Sequence, residues 1–212
     1  FDYKRAEATA LAAASADLGL EFDSTKDTVT YRRINADIWR RFEEGDISAA
    51  ELSLERFRLF LSELKEEADA ATMSERDLEH LAGAGFLIDG AAEVVADLAP
   101  RVRLVLITNG LARVQRPRFE SSGLGRYIEH LVISDEVGSR KPESEIFARA
   151  LEPFGGMARA EALMVGDSLT SDIRGGINYG LPTCWYNPDG EENTEGLHPT
   201  HEINSLEELL FL

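Results

Sequence analysis

Between Phe86 and Ile203 short apolar runs alternate with helix-length stretches, and no other feature of the chain narrows its fold as far. Arg103 to Ile107, His130 to Ser134, Ala162 to Val165, Pro182 to Tyr186 and His201 to Ile203 read as strands. Gly90 to Leu98, Leu111 to Ser122, Ser144 to Phe154 and Ser171 to Tyr179 read as helices. Strands returned to the same direction by helical crossovers run parallel, so the pattern predicts a parallel sheet covered on both faces. In such sheets chemistry gathers at the carboxyl ends of the strands.

The preceding part has a different texture. From Tyr3 to about Leu81, Ala, Leu and aromatic residues recur at three- and four-residue intervals, which predicts a helical bundle without strands. Leu11, Ala14 and Leu18 share a face before Gly19 ends the first helix, and Ile34, Ile38 and Phe42 do so before Gly45. Asp46 is expected to open the third helix, and Ser74 with Asp77 to cap a short fourth one. Trp39, Phe42 and Phe57 lie at helical spacing, which places them in the bundle core ahead of any role in facing a ligand. The stretch from Asn187 to Pro199 is polar and reads as an exposed loop.

A formal net charge of -17 argues against nucleic acid or an anionic membrane surface as partner, since both attract basic faces. Small ligands remain open, and an acidic chain that handles an anion needs a local cation or a nest of N–H groups. Cys184 is the sole cysteine, so the chain has no internal disulfide and no multi-cysteine zinc site; a buried apolar role in a reducing cytoplasm fits it. No apolar run reaches the roughly 18 residues of a membrane span, and Phe1-Asp2-Tyr3-Lys4 does not resemble a signal peptide, so the chain reads as soluble. His80, His130, His198 and His201 lack metal-ligand spacing and read as surface or structural residues.

Three segments carry candidate chemistry. The first strand run ends in Thr108-Asn109-Gly110, where a hydroxyl, an amide and the N–H groups of a helix start can hold an oxyanion. Taken alone, an ordinary N-capped turn accounts for the same residues better. Lys141, in Ser139-Arg140-Lys141-Pro142, could neutralise a phosphate and nearby carboxylates, although by itself it is an ordinary surface lysine before a helix. Leu163-Met164-Val165-Gly166-Asp167 runs an apolar strand straight into a carboxylate, and Asp172 follows five positions later. Such a pair suits Mg²⁺, a hard cation that takes one or two carboxylates; the alternative is a turn-shaping Asp167 and a helix-capping Asp172. Together the three segments set a hydroxyl, a cation and two carboxylates at one sheet edge, in chain order.

Thr108 after its strand, Lys141 before Pro142, and Gly166-Asp167 with Asp172 resemble the second, third and fourth motifs of the haloacid dehalogenase-like superfamily. The resemblance covers essentially the whole chain. It implies an α/β fold with a three-layer, Rossmann-like parallel core and an inserted helical cap. The boundaries it suggests are 1–15 for the core entry and first helix, 16–83 for the cap and 84–212 for the core. Leu131 to Gly138, Gly175-Gly176-Ile177-Asn178, Thr183-Cys184-Trp185 and the cap stretch Ile34 to Trp39 look most like the pyrimidine-preferring nucleoside 5'-monophosphate phosphatases.

The resemblance implies a magnesium-dependent cytoplasmic phosphatase, monomeric or homodimeric, acting on a small phosphate ester through a phospho-aspartyl intermediate. Thr108, Asn109, Gly110 and Lys141 would bind the phosphate, with Thr108 and Lys141 counted as catalytic. Asp167 would ligate Mg²⁺, and Asp172 would support its shell or orient Lys141. The family's nucleophile and acid–base aspartate sit in Asp-x-Asp-x-Thr at the end of a first, central strand, and Phe1-Asp2-Tyr3 resembles the piece that trails it. Both aspartates are therefore expected before Phe1, because a chain truly lacking that strand would expose two strand edges and split its core. The alternatives are a phosphatase of another small metabolite, a haloacid dehalogenase, a receiver-type signalling domain, and an inactive binding protein on this fold.

Overall fold

The computed structural model describes residues 1–155 and 157–212, which form two compact units, Phe1–Phe86 and Leu87–Leu212. The first is a helical bundle of α1 (Tyr3–Asp17), α2 (Lys26–Glu43), α3 (Ala49–Leu64) and α4 (Ala70–Gly83), with no strand among its described residues. Helix α1 packs on α4, α3 lies between α2 and α4, and one apolar core links Leu11, Ala14, Tyr31, Ile34, Ile38, Phe57 and Phe60. Trp39 and Phe42 pack against that core, as their helical spacing predicts.

Helix boundaries follow capping chemistry. Gly19 and Gly45 take left-handed backbone conformations just past α1 and α2, which a glycine adopts without steric cost. Two expected starts are corrected. Ser48, not Asp46, caps α3, through a reciprocal pair in which the Ser48 hydroxyl accepts from Glu51 N and the Glu51 carboxylate accepts from Ser48 N. Asp69 caps α4 through Thr72 N at 2.8 Å, while Ser74 and Asp77 lie buried inside that helix. The sequence pattern misleads there because Ser and Asp serve equally as caps and as buried hydrogen-bonding groups. Helix α1 packs within the helical unit, whose last residue is Phe86.

The second unit runs α5 (Ala91–Leu98), β1 (Leu104–Thr108), α6 (Ala112–Ser121), β2 (Ile128–Ile133), α7 (Ser134–Val137), α8 (Ser144–Leu151), β3 (Met164–Gly166), α9 (Arg174–Tyr179), β4 (Thr183–Tyr186) and β5 (His201–Ile203). All described pairings are parallel, as the crossovers require, but they form two ladders, β1-β2 and β3-β4-β5, where the sequence predicts one sheet. The ladders share a core: Ile146, Phe147 and Ala150 of α8 pack with Val132, Met164 and Leu181, and Val105 and Ile107 lie against the same cluster. Strand β1 is apolar from Leu104 to Ile107, yet every residue in it is only half-buried, because no described strand pairs with its second edge. The loop after β4 is irregular as expected but is anchored by the buried Asn187, which bonds Glu191 and Glu202. Cys184 is buried.

Candidate active site

Where β1 stops, its last side chain bends back on the turn: the Thr108 hydroxyl oxygen accepts from Gly110 N at 3.2 Å. With its oxygen so engaged, the hydroxyl keeps its proton to donate to an incoming anion. The Gln115 side chain lies across Gly110, where a Cβ would have to displace it. The N–H of Ala112, at the start of α6, donates to Asp135 Oδ2 at 3.0 Å, so a protein carboxylate already occupies part of that helix start.

Asn109 reaches away from this turn to the next segment. Its side chain clamps the backbone of Lys141 in both directions, accepting from Lys141 N at 2.8 Å and donating to Lys141 O at 2.8 Å. The clamp aims Lys141 inward. Its ammonium donates to Ile107 O at 3.3 Å and pairs with Asp172 Oδ1 at 2.6 Å, while the two side chains are only 11% and 5% exposed. A cation this buried is stable only when its protons are shared among acceptors, and one strand carbonyl and one carboxylate meet that need.

Asp172 is fully engaged. Its second oxygen, Oδ2, accepts from Ser168 N at 3.1 Å, so both of its oxygens serve the protein. Gly166 is the counterpart of this closeness, because a Cβ there would collide with the Asp172 carboxylate. Gly175, in α9, likewise lets the helix lie against the Phe147 ring and the backbone of Pro142, which brings the Lys141 segment next to the Asp172 segment.

Asp167 follows β3 directly and is exposed. The atoms crowded around its carboxyl raise its pKa by desolvation, Asp172 adds to the rise, and Lys141 opposes it. Two neighbouring carboxylates with one shared cation are short of positive charge, which favours a further cation at Asp167. Among the described residues no group of three or more His, Cys, Asp or Glu is gathered to hold a metal. Mg²⁺ does not need one, since it keeps several waters and binds through one or two carboxylates plus ligand oxygens. The donors present fit such an open shell, with Asp167 as the available carboxylate. Sequence reasoning missed the Asp135 cap, the Asn109 clamp, the role of Ser168 N and a bond from the Trp185 indole to Asp167 O at 3.0 Å. These contacts join residues distant in sequence or use backbone atoms, so no spacing announces them.

Comparison with known proteins places relatives around this arrangement. Residues 2–180 match the family model for haloacid dehalogenase-like hydrolases. The chain is 36% identical over 208 residues to the HAD-hydrolase YfnB of Bacillus subtilis, covering 98% of this chain and 88% of that protein. It is 37% identical over 186 residues to the pyrimidine 5'-nucleotidase YjjG of Escherichia coli, covering 88% and 82%. It is 33% identical over 211 residues to the pyrimidine 5'-nucleotidase PynA of Streptococcus pneumoniae, covering 99% and 88%. The magnesium-bound crystal structure of YfnB superposes with a TM-score of 0.94 over 99% of this chain and 92% of that one.

Proposed function

The chain belongs to the haloacid dehalogenase-like hydrolase family, and from that membership we propose that it is a Mg²⁺-dependent phosphatase of small phosphomonoesters, preferring pyrimidine (deoxy)nucleoside 5'-monophosphates. The observation that carries this reading is the buried Lys141–Asp172 pair, set between Ile107 O at the end of β1 and the Asp167–Ser168 turn at the end of β3. A fixed cation, bonded to the strand that ends in Thr108 and paired with the carboxylate that holds the Asp167–Ser168 turn, suits a phosphoryl group better than a neutral substrate. Likeness to two pyrimidine 5'-nucleotidases supports the choice of substrate class.

In this proposal Thr108 donates its hydroxyl proton to a phosphoryl oxygen, and Lys141 neutralises a second one. Asn109 fixes Lys141 through its backbone, and the Gly110 N–H fixes the Thr108 hydroxyl at the phosphate turn. Asp172 holds the ammonium in place through one oxygen and the Asp167–Ser168 turn through the other. Asp167 would hold Mg²⁺, which when bound screens the charge between an anionic nucleophile and the phosphate. Neither the attacking carboxylate nor the acid–base aspartate of the family mechanism is among these residues. A cytoplasmic setting accords with the buried, unpaired Cys184, and no helix of the described residues is long and apolar enough to cross a membrane.

Phosphate release by the complete protein, followed with and without Mg²⁺ on dUMP, dTMP, UMP and a set of sugar phosphates, tests the reading. Turnover of the three nucleotides well ahead of sugar phosphates, lost on chelation and in Asp167→Ala, is the expected result. Sugar phosphates in the lead would remove the substrate class. Unchanged Mg²⁺-dependent turnover in Asp167→Ala would remove the metal ligand.

A further inference from the structure

Trp185 lies on β4 with 2% of its surface exposed, in register with Gly166 across the β3-β4 ladder. A buried indole N–H can only donate, so it must find an acceptor. The acceptor is the carbonyl oxygen of Asp167, 3.0 Å away. Asp167 stands between the end of β3 and the helical turn beginning at Leu169, where regular backbone pairing does not hold it. The N–H of the same peptide unit belongs to Ser168 and donates to Asp172 Oδ2 at 3.1 Å. The peptide plane that follows Asp167 is therefore held at both ends, by the indole at its C=O and by Asp172 at its N–H. Rotation about the Asp167 Cα–C bond is restricted accordingly, in part by a residue 18 positions away.

We infer that Trp185 is a positioning residue for the cation at Asp167: its N–H fixes the Asp167–Ser168 peptide so that the carboxylate meets Mg²⁺ without reorganising. The inference rests on the reading of Asp167 as the metal ligand. The two grips differ in what lies behind them: Asp172 joins the N–H end to Lys141, while Trp185 holds the C=O end from β4. Partners that orient a metal ligand in this way commonly contribute about 10–100-fold in affinity.

Two replacements at Trp185 distinguish the hydrogen bond from packing. Trp185→Phe removes the N–H and part of the ring, whereas benzothienylalanine at the same position replaces the N–H by sulfur at nearly constant shape. Mg²⁺ binding to the complete protein is measured by calorimetry for both, for the parent and for Asp167→Ala, with thermal unfolding alongside. The expected result is about tenfold weaker Mg²⁺ binding in both Trp185 variants, with kcat at saturating Mg²⁺ changed by less than about threefold, because only metal recruitment depends on the bond. Parent-like Mg²⁺ affinity in the benzothienylalanine protein overturns the inference, even if Trp185→Phe is weakened, because shape alone would then be at work. A lower melting midpoint with unchanged Mg²⁺ affinity overturns it too and leaves Trp185 as a packing residue. Equal Mg²⁺ binding by the parent and Asp167→Ala instead removes the reading of Asp167 on which the inference stands.

Discussion

Each unit of the molecule buries a cation–carboxylate pair, and the two pairs are built differently. In the α/β unit, Lys141 and Asp172 meet at 2.6 Å, and each partner has a further bond, to Ile107 O and from Ser168 N. In the helical unit, Arg56 and Asp77 stand 3.5 Å apart with side chains 4% exposed, Arg56 reaches Asn35 only at 3.4 Å, and its Nε has no hydrogen-bond partner among the described residues. The tight pair is clamped from outside by Asn109 and closed by the missing side chain at Gly166. The loose pair lies among Tyr3, Glu7 and Tyr31. A buried charge costs stability in either place, but only the first arrangement recovers much of that cost through short, multiple bonds. The proposed role of Lys141 needs a position held within tenths of an ångström, and no ligand role is proposed for Arg56.

Breaking the tight pair is expected to have the largest effect. Lys141→Met should lower kcat on the preferred nucleotide by about 10²–10³-fold, the usual result of deleting a charge-stabilising donor. It should also cost about 3–5 kcal/mol of stability, because Asp172 is left buried without its counter-ion. Initial rates and urea unfolding of the same preparation measure both. A kcat within about threefold of the parent would place Lys141 outside the chemistry.

Breaking the loose pair should damage stability alone. Arg56→Met leaves Asp77 unpaired in the bundle and is expected to cost about 3–5 kcal/mol near neutral pH, while Arg56→Met with Asp77→Leu should recover most of it. The rate per folded molecule should not change in either. A specific loss of activity in a fully folded Arg56→Met protein would show that the bundle pair serves the ligand after all.

The looseness of the second pair also has a pH signature. Burial pushes the Asp77 carboxyl up to about 6, with Arg56 opposing and Glu7 adding to the rise. A carboxyl raised on folding binds its proton more tightly in the folded chain, so its contribution is fully present below the unfolded value of 3.8 and is lost as pH rises through about 6. Urea unfolding should therefore show a gain on the order of 1–3 kcal/mol between about pH 7 and about pH 5. Asp77→Asn should flatten that slope. Glu7, raised mainly by burial, pulls in the same direction and is left unchanged in the comparison. Glu51 and Asp69, held low by helix-cap bonds, act with the opposite sign at more acid pH. An equal slope in parent and Asp77→Asn would show that Asp77 is charged throughout.

What is legible in the sequence follows the same division. The strands can be read because crossover geometry forces their apolar runs into short, regular intervals, and β5 falls on His201–Ile203 as expected. Thr108, Lys141, Asp167 and Asp172 stand out because polar residues that repeatedly follow apolar strand runs gather at one end of a parallel sheet. The split into two ladders is a matter of which edges hydrogen-bond, and apolar runs carry no record of that. The Arg56–Asp77 pair is hidden because charged residues in amphipathic helices normally face water. The starts of α3 and α4 are misplaced because Asp46, Ser48, Asp69 and Ser74 are all capping residue types, and tertiary packing selects among them.

The smallest predicted effect is the most informative about how the tight pair is maintained. Asn109 holds Lys141 by its backbone N–H and C=O, without a described bond to the ammonium or to Asp172. Asn109→Ala deletes two hydrogen bonds at the turn, each worth about 1 kcal/mol, so a stability loss of about 1–2 kcal/mol is expected. If the clamp places the ammonium, kcat should also fall by about tenfold, while KM changes little because Thr108 and the metal side still receive the phosphate. Asn109→Asp sharpens the result. Its carboxylate can still accept from Lys141 N but must turn an oxygen toward Lys141 O, so two acceptors face each other and the lysine backbone is pushed away. Asn109→Asp should therefore be worse than Asn109→Ala in kcat despite its closer shape. Equal rates in the two variants, or a loss of stability without loss of kcat, would mean that Asp172 and Ile107 O alone hold the lysine, making the tight pair independent of the clamp that distinguishes it from Arg56–Asp77.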